Sequence, residues 1–220
     1  MKIPATRRLI ALVLAFVTLF APTNAFAGTP LICHPYAIGT AKSLPGSDGD
    51  WKGVNPTYDR AHLVRDTLAL LTPETPVIVR METLRRAAIY ATAGLRGWGT
   101  KQGVSAEDRA HVAALLEKLR ARTTDATGPI PARALAIFDV GFFSETLRHT
   151  NIDSALDGYS LIAKARELRG PDPEMDFALA LASSWPNRRS EHADHLARAR
   201  ALAKPGTLLA LNLASHFTRS

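Results

Sequence analysis

Residues 105–123 read SAEDRAHVAALLEKLRART, and this stretch shows the pattern that decides the fold. Ser105, followed three residues later by Asp108, is typical of a helix capping box, with Asp108 in the place usually taken by Glu. The apolar residues behind it recur every three or four positions: Val112, Leu115, Leu116 and Leu119. Side chains with that spacing share one face of a helix, so the stretch predicts an amphipathic α-helix.

The same helical period continues on both sides of this stretch, from residue 58 to residue 217. It predicts eight helices, over residues 58–71, 76–94, 105–123, 132–148, 153–169, 173–184, 190–204 and 207–217. The predicted capping residues are Thr75, Ser105, Asp172, Ser190 and Thr207. No run of residues alternates at a period of two, so we predict an all-α fold without a β-sheet.

The last four predicted helices form two pairs with short turns between partners. The pair over residues 153–184 aligns with the pair over residues 190–217 at an offset of 34 residues, which places Ala163 on Ala197. That offset is the length of a tetratricopeptide repeat, although the repeat's usual Trp, Gly and Tyr positions are not matched in register. We predict an irregular array of antiparallel, tetratricopeptide-like helix hairpins, and an ordinary irregular helical bundle stays open as the alternative.

The first 27 residues have the three parts of a secretory signal peptide. A basic start is followed by an apolar run over residues 9–20, and Ala25 and Ala27 provide the small residues that signal peptidase requires before a cut at Gly28. We predict an exported protein, periplasmic or secreted, and two adjacent arginines leave the twin-arginine route open beside the general one. No later apolar stretch reaches the length of about 20 residues that a membrane helix needs, so we expect no stable membrane insertion after cleavage.

The predicted mature chain has two parts. Residues 28–57 contain recurrent prolines and glycines and form an irregular N-terminal arm that packs on the helices, whereas residues 58–220 form a single α-helical domain. Removing residues 1–27 takes away three of the 27 Lys and Arg residues and none of the 20 Asp and Glu residues, which lowers the net charge from +7 to +4. The basic residues are spread over the whole chain, so we expect no nucleic-acid partner.

Several blocks of the sequence resemble stretches in exported bacterial proteins of no assigned function. These blocks are Cys33–Pro35, Ala41–Pro45, Asp66–Tyr90, Leu156–Tyr159 and Asp172–Ala178. The resemblance extends over most of the mature chain and implies a helical fold rich in hairpins. It implies no activity and identifies no catalytic residue.

Two groups of residues carry side chains that bind transition metals. Cys33 and His34 could supply a thiolate and an imidazole, while His192 and His195 lie three residues apart and share one face of a predicted helix. The alternatives are a buried, apolar cysteine beside an exposed histidine, and a polar helix start that faces solvent. The spacing of a haem-attachment motif is broken because Pro30 stands where that motif needs a second cysteine.

Two further groups have a functional and a structural interpretation. Ser47–Asp50 could bind calcium, but the spacing of a twelve-residue calcium loop is absent and a turn is predicted. Arg80, Arg85 and Arg86 lie with Glu82 on the second predicted helix. They could hold an acidic ligand, or they could form ion pairs on the outer side of the helix.

Three functional hypotheses follow from these residues. The favoured one is a helical-repeat-like module that binds a protein or peptide partner, because helix arrays form grooves without needing catalytic residues. The second is a metal-associated protein that uses Cys33 and His34. The third is an enzyme with scattered carboxylates. This interpretation is less favoured because the sequence has no phosphate loop, no nucleotide fingerprint and no nucleophile elbow.

Overall fold

The computed structural model describes residues 31–46, 52–53, 55–92, 104–124, 128–148, 150, 152 and 155–217, and the predicted signal peptide and the Ser47–Asp50 turn lie outside these ranges. The described residues form eight α-helices and no β-strand, which confirms the predicted all-α fold. The helices are α1 (Leu63–Leu70), α2 (Val77–Ala91), α3 (Ala106–Ala121), α4 (Ile130–Leu147), α5 (Gly158–Arg169), α6 (Pro173–Ala182), α7 (Arg189–Leu202) and α8 (Leu208–Phe217). In the described part of the chain, no helix has the length and apolar character that crossing a membrane requires.

Three of the predicted helix starts are confirmed by the side chain that caps them. The Ser105 hydroxyl accepts a hydrogen bond of 3.0 Å from the Asp108 backbone N–H at the start of α3. The Asp172 carboxylate accepts two backbone N–H bonds at the start of α6, both of 3.0 Å. The Thr207 hydroxyl accepts one of 3.3 Å at the start of α8. These local capping bonds define where each helix begins.

Helix α2 begins differently from the prediction. Thr75 does not cap it, because its hydroxyl donates to the Leu70 carbonyl at 2.8 Å and closes the turn between α1 and α2. The Ile78 backbone N–H instead donates to the carboxylate of Glu174, on α6, at 3.2 Å. The negative charge of Glu174 lies at the positive end of the α2 dipole, so a residue far along the chain takes the role that we predicted for a local one.

Helices α5 and α7 also begin at other residues than predicted. Asp157 caps α5 by accepting the Ser160 backbone N–H at 3.2 Å, so this helix starts at Gly158 and not at residue 153. A short 3-10 turn precedes α7, which therefore starts at Arg189, one residue before the predicted cap.

Helices α2 and α4 form the centre of the molecule and pack on each other. Every residue of α2 except Arg86 is buried, and so is every residue of α4 from Ala134 to Leu147 except Ile137. Helices that are enclosed on nearly all sides are typical of a protein interior. An amphipathic surface helix buries one face, and the buried surface of α2 is much wider than that.

The crossing of α4 and α5 depends on two glycines. A Cβ atom added to Gly141 would lie 2.8 Å from the Leu161 Cβ and 2.9 Å from the Gly158 carbonyl oxygen. One added to Gly158 would lie 2.5 Å from the Gly141 carbonyl oxygen and 2.7 Å from the Glu145 backbone nitrogen. Contacts this short would force the helices apart, so the absence of a side chain at both positions permits the close approach.

The pairing of helices differs from the predicted hairpins. The most extensive packing joins α4 with α5 and α6 with α7, whereas the prediction paired α5 with α6 and α7 with α8. Two effects explain the shift by one helix. The two glycines bring α4 and α5 together, and the Asp176 carboxylate joins α6 to α7 through an ion pair with Arg198 at 3.0 Å and a contact with His195 at 3.3 Å. The tetratricopeptide-like pairing is therefore not confirmed.

The described part of the N-terminal arm, residues 31–46, packs on the helices. Its buried side chains, which belong to the same core as those of α2 and α4, are Leu31, Ile32, Tyr36 and Leu44. Asn212 of α8 accepts the Ala37 backbone N–H at 2.9 Å and donates to the Ala37 carbonyl at 2.8 Å. This reciprocal pair satisfies both backbone groups of one arm residue and joins the beginning of the described chain to its end.

Side chains of α2 bind the rest of the arm backbone. The Glu82 carboxylate accepts the Tyr36 backbone N–H at 3.0 Å, and Arg85 and Arg86 donate to the carbonyls of Ile32 and Leu44 at 3.2 and 2.6 Å. Both arginines also form ion pairs with Glu82, at 2.8 and 2.6 Å. The expectation of ion pairs on the outer side of the helix is corrected, because Glu82 and Arg85 are buried beneath the arm.

Candidate functional site

An open groove of about 380 Å³ lies between the end of α3, the middle of α4 and the start of α5. Its apolar residues are Ile137, Val140, Leu156 and Leu161, and its polar residues are Arg120, Thr123, Thr124 and Lys164. A space of this volume lies within the range of ligand pockets and can hold several side chains of a binding partner.

The charged residues that the structure describes in the lining of the groove are both cations, Arg120 on α3 and Lys164 on α5. Both side chains are exposed. Among the described residues, no carboxylate lines the groove. The groove therefore presents an apolar surface beside two positive charges that can bind a carboxylate.

The floor of the groove lies directly over the crossing of α4 and α5. Val140 precedes Gly141, and Leu161 touches the position that a side chain on Gly141 would occupy. The backbones of the two helices are in contact at this point, so they hold the floor rigidly. The groove is formed before any ligand arrives and needs little ordering on binding.

A polar cluster between α5, α6 and α7 surrounds His195. The ring Nε2 is 3.0 Å from the Tyr159 hydroxyl, and the ring Nδ1 is 3.3 Å from the Asp176 carboxylate. A carboxylate, an imidazole and a hydroxyl in this order form the arrangement in which a histidine activates a nucleophile. The cluster is therefore the best candidate for a catalytic site in the described part of the chain.

Arg198 opposes that catalytic interpretation. Its Nη2 is 2.6 Å from His195 Nδ1, and because a guanidinium only donates, Nδ1 accepts and the ring proton lies on Nε2. A ring in this tautomer donates to Tyr159 and cannot take its proton. Burial also lowers the pKa of His195, against the raising effect of Asp176, which disfavours the charged form of the ring. We conclude that the cluster joins three helices and does not activate Tyr159.

Cys33 and His34, the first pair of predicted metal ligands, lie at the N-terminal arm. Burial raises the pKa of the half-buried Cys33 thiol, which disfavours the thiolate form that binds metals. The His34 ring lies 4.9 Å from the ring of His216, on α8, with a tilt of 32° between the two planes. The structure thus places His34 beside a histidine that the sequence analysis did not connect with it.

His192 and His195, the second predicted pair, contact different helices. The His192 Nδ1 donates to the Ala180 carbonyl at 2.7 Å, and its ring lies 5.6 Å from that of Phe217. His195 lies in the cluster described above, with Arg198 and the Tyr159 hydroxyl at its two nitrogens. Within the described ranges, no group of three or more His, Cys, Asp or Glu side chains could hold a metal ion. A metal site at these residues stays a prediction.

Arg80, the remaining sequence candidate, belongs to a second buried ionic cluster. It donates to both oxygens of the Asp139 carboxylate, at 3.0 and 2.7 Å, and to the backbone carbonyls of Thr72 and Thr75. Arg122 is the second cation at Asp139, at 3.4 Å. The Arg80 side chain is completely buried, so it forms an internal ion pair and not a site for an external acidic ligand.

The comparisons with known proteins identify no related protein. Models of known protein families, curated proteins and solved structures give no match to this chain. The candidate sites rest on the contacts described above.

The groove is the feature that sequence reasoning missed. Nothing in the sequence patterns considered above singles out Ile137 or Leu161. One signal is present in the sequence: Ile130 and Ile137 on α4 are seven residues apart, and so are Leu161 and Leu168 on α5. Residues at that spacing lie two turns apart on one helix face, so each pair predicts a face with two apolar residues and one basic residue, Arg133 or Lys164, between them.

Proposed function

We propose that this protein is an exported, helical peptide-binding module that holds a segment of a partner protein in the groove between α3, α4 and α5. The observation that supports the proposal is the combination of an apolar floor with a rim of two cations and no carboxylate in the described lining. A partner segment that fits this surface has an apolar side chain flanked by Asp or Glu. Such charge complementarity gives an interface its specificity and orientation.

Export is the part of the proposal that the first 27 residues support. Their basic start, apolar run and small residues before Gly28 have the order that a signal peptide requires. Expression of the full chain in a Gram-negative host, followed by N-terminal sequencing of the periplasmic fraction, tests this part. We expect a chain that begins at Gly28. Full-length protein confined to the cytoplasm would contradict the proposed export.

The two other functional hypotheses receive less support from the geometry. The enzyme hypothesis needs an activated nucleophile or acid, and the best candidate, Tyr159 beside His195, has its hydrogen bonds in the wrong direction for activation. The metal hypothesis needs ligands that converge, whereas Cys33 and His195 lie in separate surroundings with other contacts. The groove requires neither and stands as the favoured site.

Site-specific photocrosslinking tests the binding function. Thr124 is exposed and lines the groove, so it is replaced by benzoylphenylalanine in the full-length chain, and the cells are irradiated after export. We expect one cross-linked partner, joined through a segment in which an apolar residue is flanked by carboxylates. The same replacement at Lys204, which is exposed in the turn between α7 and α8, is the matched control and gives no such product.

A charge reversal in the groove completes the test. The double variant Arg120→Glu, Lys164→Glu changes two exposed side chains and leaves the core intact. We expect it to abolish the cross-link from residue 124, while Arg189→Glu with Lys204→Glu, a charge reversal of equal size elsewhere, preserves it. A cross-link that survives the groove reversal, or that forms equally from residue 204, would show that the groove does not select its partner by charge.

A further inference from the structure

We propose that the partner segment binds as an α-helix laid along α4 and α5, and not as an extended peptide. This inference rests on the proposed binding function and adds the conformation and chemistry of the occupant: an amphipathic helix with apolar residues on one face and carboxylates beside them. Three features of the molecule support it, namely a stripe of exposed apolar residues beyond the groove, the open face of α4, and the way in which the protein binds its own non-helical arm.

Exposed apolar residues follow the groove along both helices, with one basic residue between them on each helix, Arg133 on α4 and Lys164 on α5. Ile130 lies two turns before Ile137 on α4 and is 56% exposed, and Leu168 lies two turns after Leu161 on α5 and is 39% exposed. The helices are antiparallel at their crossing, because Gly141 meets Ile162 while the later residue Glu145 meets the earlier Gly158. Ile130 and Leu168 therefore extend the stripe in the same direction.

The length of this stripe suits a helical partner. Two turns of helix span about 10.5 Å, so the stripe adds roughly that length to the groove. A helix packs on a pair of helices by placing its own apolar ridge in the groove between them. Apolar side chains at every third or fourth residue of such a partner helix would contact the groove first and then, two turns further along, Ile130 and Leu168.

Helix α4 is enclosed on most sides, yet one of its faces is open. It packs on α2, α3 and α5, and all its residues from Ala134 to Leu147 are buried except Ile137. Exposed apolar residues on a helix that is otherwise enclosed favour a further covering surface. The open side of α4, which carries Ile130 and Ile137, is where an additional helix would complete the enclosure.

The arm shows how this protein binds a segment that is not helical. Such a segment leaves its backbone N–H and C=O groups without partners of their own, and these groups must be bound by the site. Glu82, Arg85, Arg86 and Asn212 do this for the arm, with hydrogen bonds of 2.6 to 3.2 Å to its backbone.

The groove offers few acceptors for the N–H groups of an extended segment. Its described lining has no carboxylate or side-chain amide, Arg120 and Lys164 can only donate, and the hydroxyls of Thr123 and Thr124 already donate to the carbonyls of Arg120 and Ala121, at 2.7 and 2.8 Å. An extended occupant would leave buried backbone N–H groups without partners there, which is costly for each group. A helix satisfies its backbone internally and needs only apolar contact, so the lining of the groove favours a helix.

The charges favour a different chain over a second copy of this one. In a symmetric pair formed through the groove, the rims carrying Arg120 and Lys164 would face each other, and like charges would repel. A partner helix that carries Asp or Glu beside its apolar face removes this repulsion and replaces it with attraction. The occupant is therefore an acidic amphipathic helix of another protein.

Synthetic peptides test the conformation of the occupant with the mature chain. The first probe is a fluorescent peptide of about 18 residues with leucines on one helical face and glutamates beside them. The second has the same composition in an order that spreads the leucines over all faces, and the third has a central proline. We expect the first to bind, and the second and third to bind weaker by about a hundredfold, because proline breaks the helix and scrambling removes its apolar face.

Variants at the two ends of the stripe locate the bound helix. Ile130→Gln and Leu168→Gln change exposed, uncharged positions outside the groove, and each should weaken the first probe by about threefold to tenfold. Leu211→Gln, at a residue of α8 that is 53% exposed, is the matched control and should have no effect. Circular dichroism and unfolding midpoints check that all three variants are folded.

The possible outcomes separate this inference from the proposed function. Equal binding of all three probes, each lost on charge reversal of Arg120 and Lys164, would leave the groove as a peptide site and overturn the helical occupant. An affinity for the first probe that is unchanged by Ile130→Gln and by Leu168→Gln would also overturn the helical occupant. Binding of none of the probes, together with no cross-link from residue 124, would remove the proposed function itself.

Discussion

Replacing Gly141 by alanine tests the central packing feature of this fold, the crossing of α4 and α5. The added Cβ would lie 2.8 Å from the Leu161 Cβ, 2.9 Å from the Gly158 carbonyl oxygen and 2.9 Å from the Ile162 backbone nitrogen, whereas ordinary contacts are 3.4 to 4 Å. The helices must therefore separate by roughly 0.5 to 1 Å. Two of the three obstructing atoms belong to the backbone, so no change of rotamer can relieve the clash.

The expected magnitude is the difference between two effects. Overpacking of a tight contact costs about 1 to 3 kcal/mol, and alanine in the middle of a helix gains about 1 kcal/mol over glycine. Because two of the three obstructing atoms are backbone, we take the upper part of the overpacking range, about 2 to 3 kcal/mol. We therefore expect Gly141→Ala to lower the free energy of unfolding by about 1 to 2 kcal/mol, or roughly 2 to 8 °C in Tm for a chain of this size. Gly158→Ala should cost more, because its closest contacts are shorter, at 2.5 and 2.7 Å, and both are to backbone atoms.

Urea unfolding followed by circular dichroism measures this change. Glu167→Ala, on the exposed side of α5, is the control and should change stability by no more than about 0.5 kcal/mol. Since the floor of the groove lies over the crossing, the glycine variants should also weaken binding of the helical probe. If Gly141→Ala were as stable as the unmodified chain, the glycine would not be there for close packing and the reasoning about the crossing would be refuted.

Three other predictions concern the arm and the buried ionic groups. Asn212→Ala removes both hydrogen bonds to Ala37, and we expect it to lower the free energy of unfolding by about 1 to 3 kcal/mol in urea titrations, while an unchanged value would show that the arm is held by its apolar side chains alone. Asp139→Ala leaves the buried Arg80 without its carboxylate and should cost about 3 to 5 kcal/mol, whereas a loss below 1 kcal/mol would contradict the buried ion pair. Burial lowers the pKa of His216 below its ordinary value of 6.5, so the unfolded chain binds a proton before the folded chain does, and stability is full above about pH 6.5 and falls as the pH drops below it. In His216→Phe the decrease in Tm between pH 7 and pH 5 should be smaller than in the unmodified chain. Part of the remaining decrease is due to His195, because the pKa of His195 is also lowered. An identical pH profile of the two chains would exclude His216 as a contributor.

The parts of the fold that could be predicted are those for which a cause lies within a few residues. Ser105, Asp172 and Thr207 cap the helices that follow them, and a capping side chain acts on the next turn of its own chain. Gly141 is a comparable case, because a glycine in a strongly apolar helix is costly unless something approaches closely. These signals are visible in a single sequence since each depends on adjacent residues only.

The parts that could not be predicted have causes that lie far apart in the sequence. The start of α2 is capped by Glu174, which is 96 residues away, and no local pattern links the two. Arg85 and Glu82 have the spacing of a surface ion pair, and the arm that buries them lies more than 40 residues earlier in the chain. Glu82 and Arg85 were candidates from the sequence, but their partners in the arm could not be inferred, and nothing in the sequence pointed to Glu174.

The groove shows a more general reason why binding sites escape sequence reasoning. Ile137 and Leu161 have the helical spacing of core residues, and the same apolar pattern is produced whether the covering surface is another helix of the chain or a helix of a partner. What distinguishes the two cases is whether the chain itself provides the cover, and that depends on the tertiary arrangement. Here the two glycines draw α5 against α4 at one point, and from there the exposed apolar residues Ile130 and Leu168 follow along the two helices. The residues of a docking face and those of a core therefore show the same spacing of apolar residues. Only the arrangement of the helices determines which of these residues stay exposed.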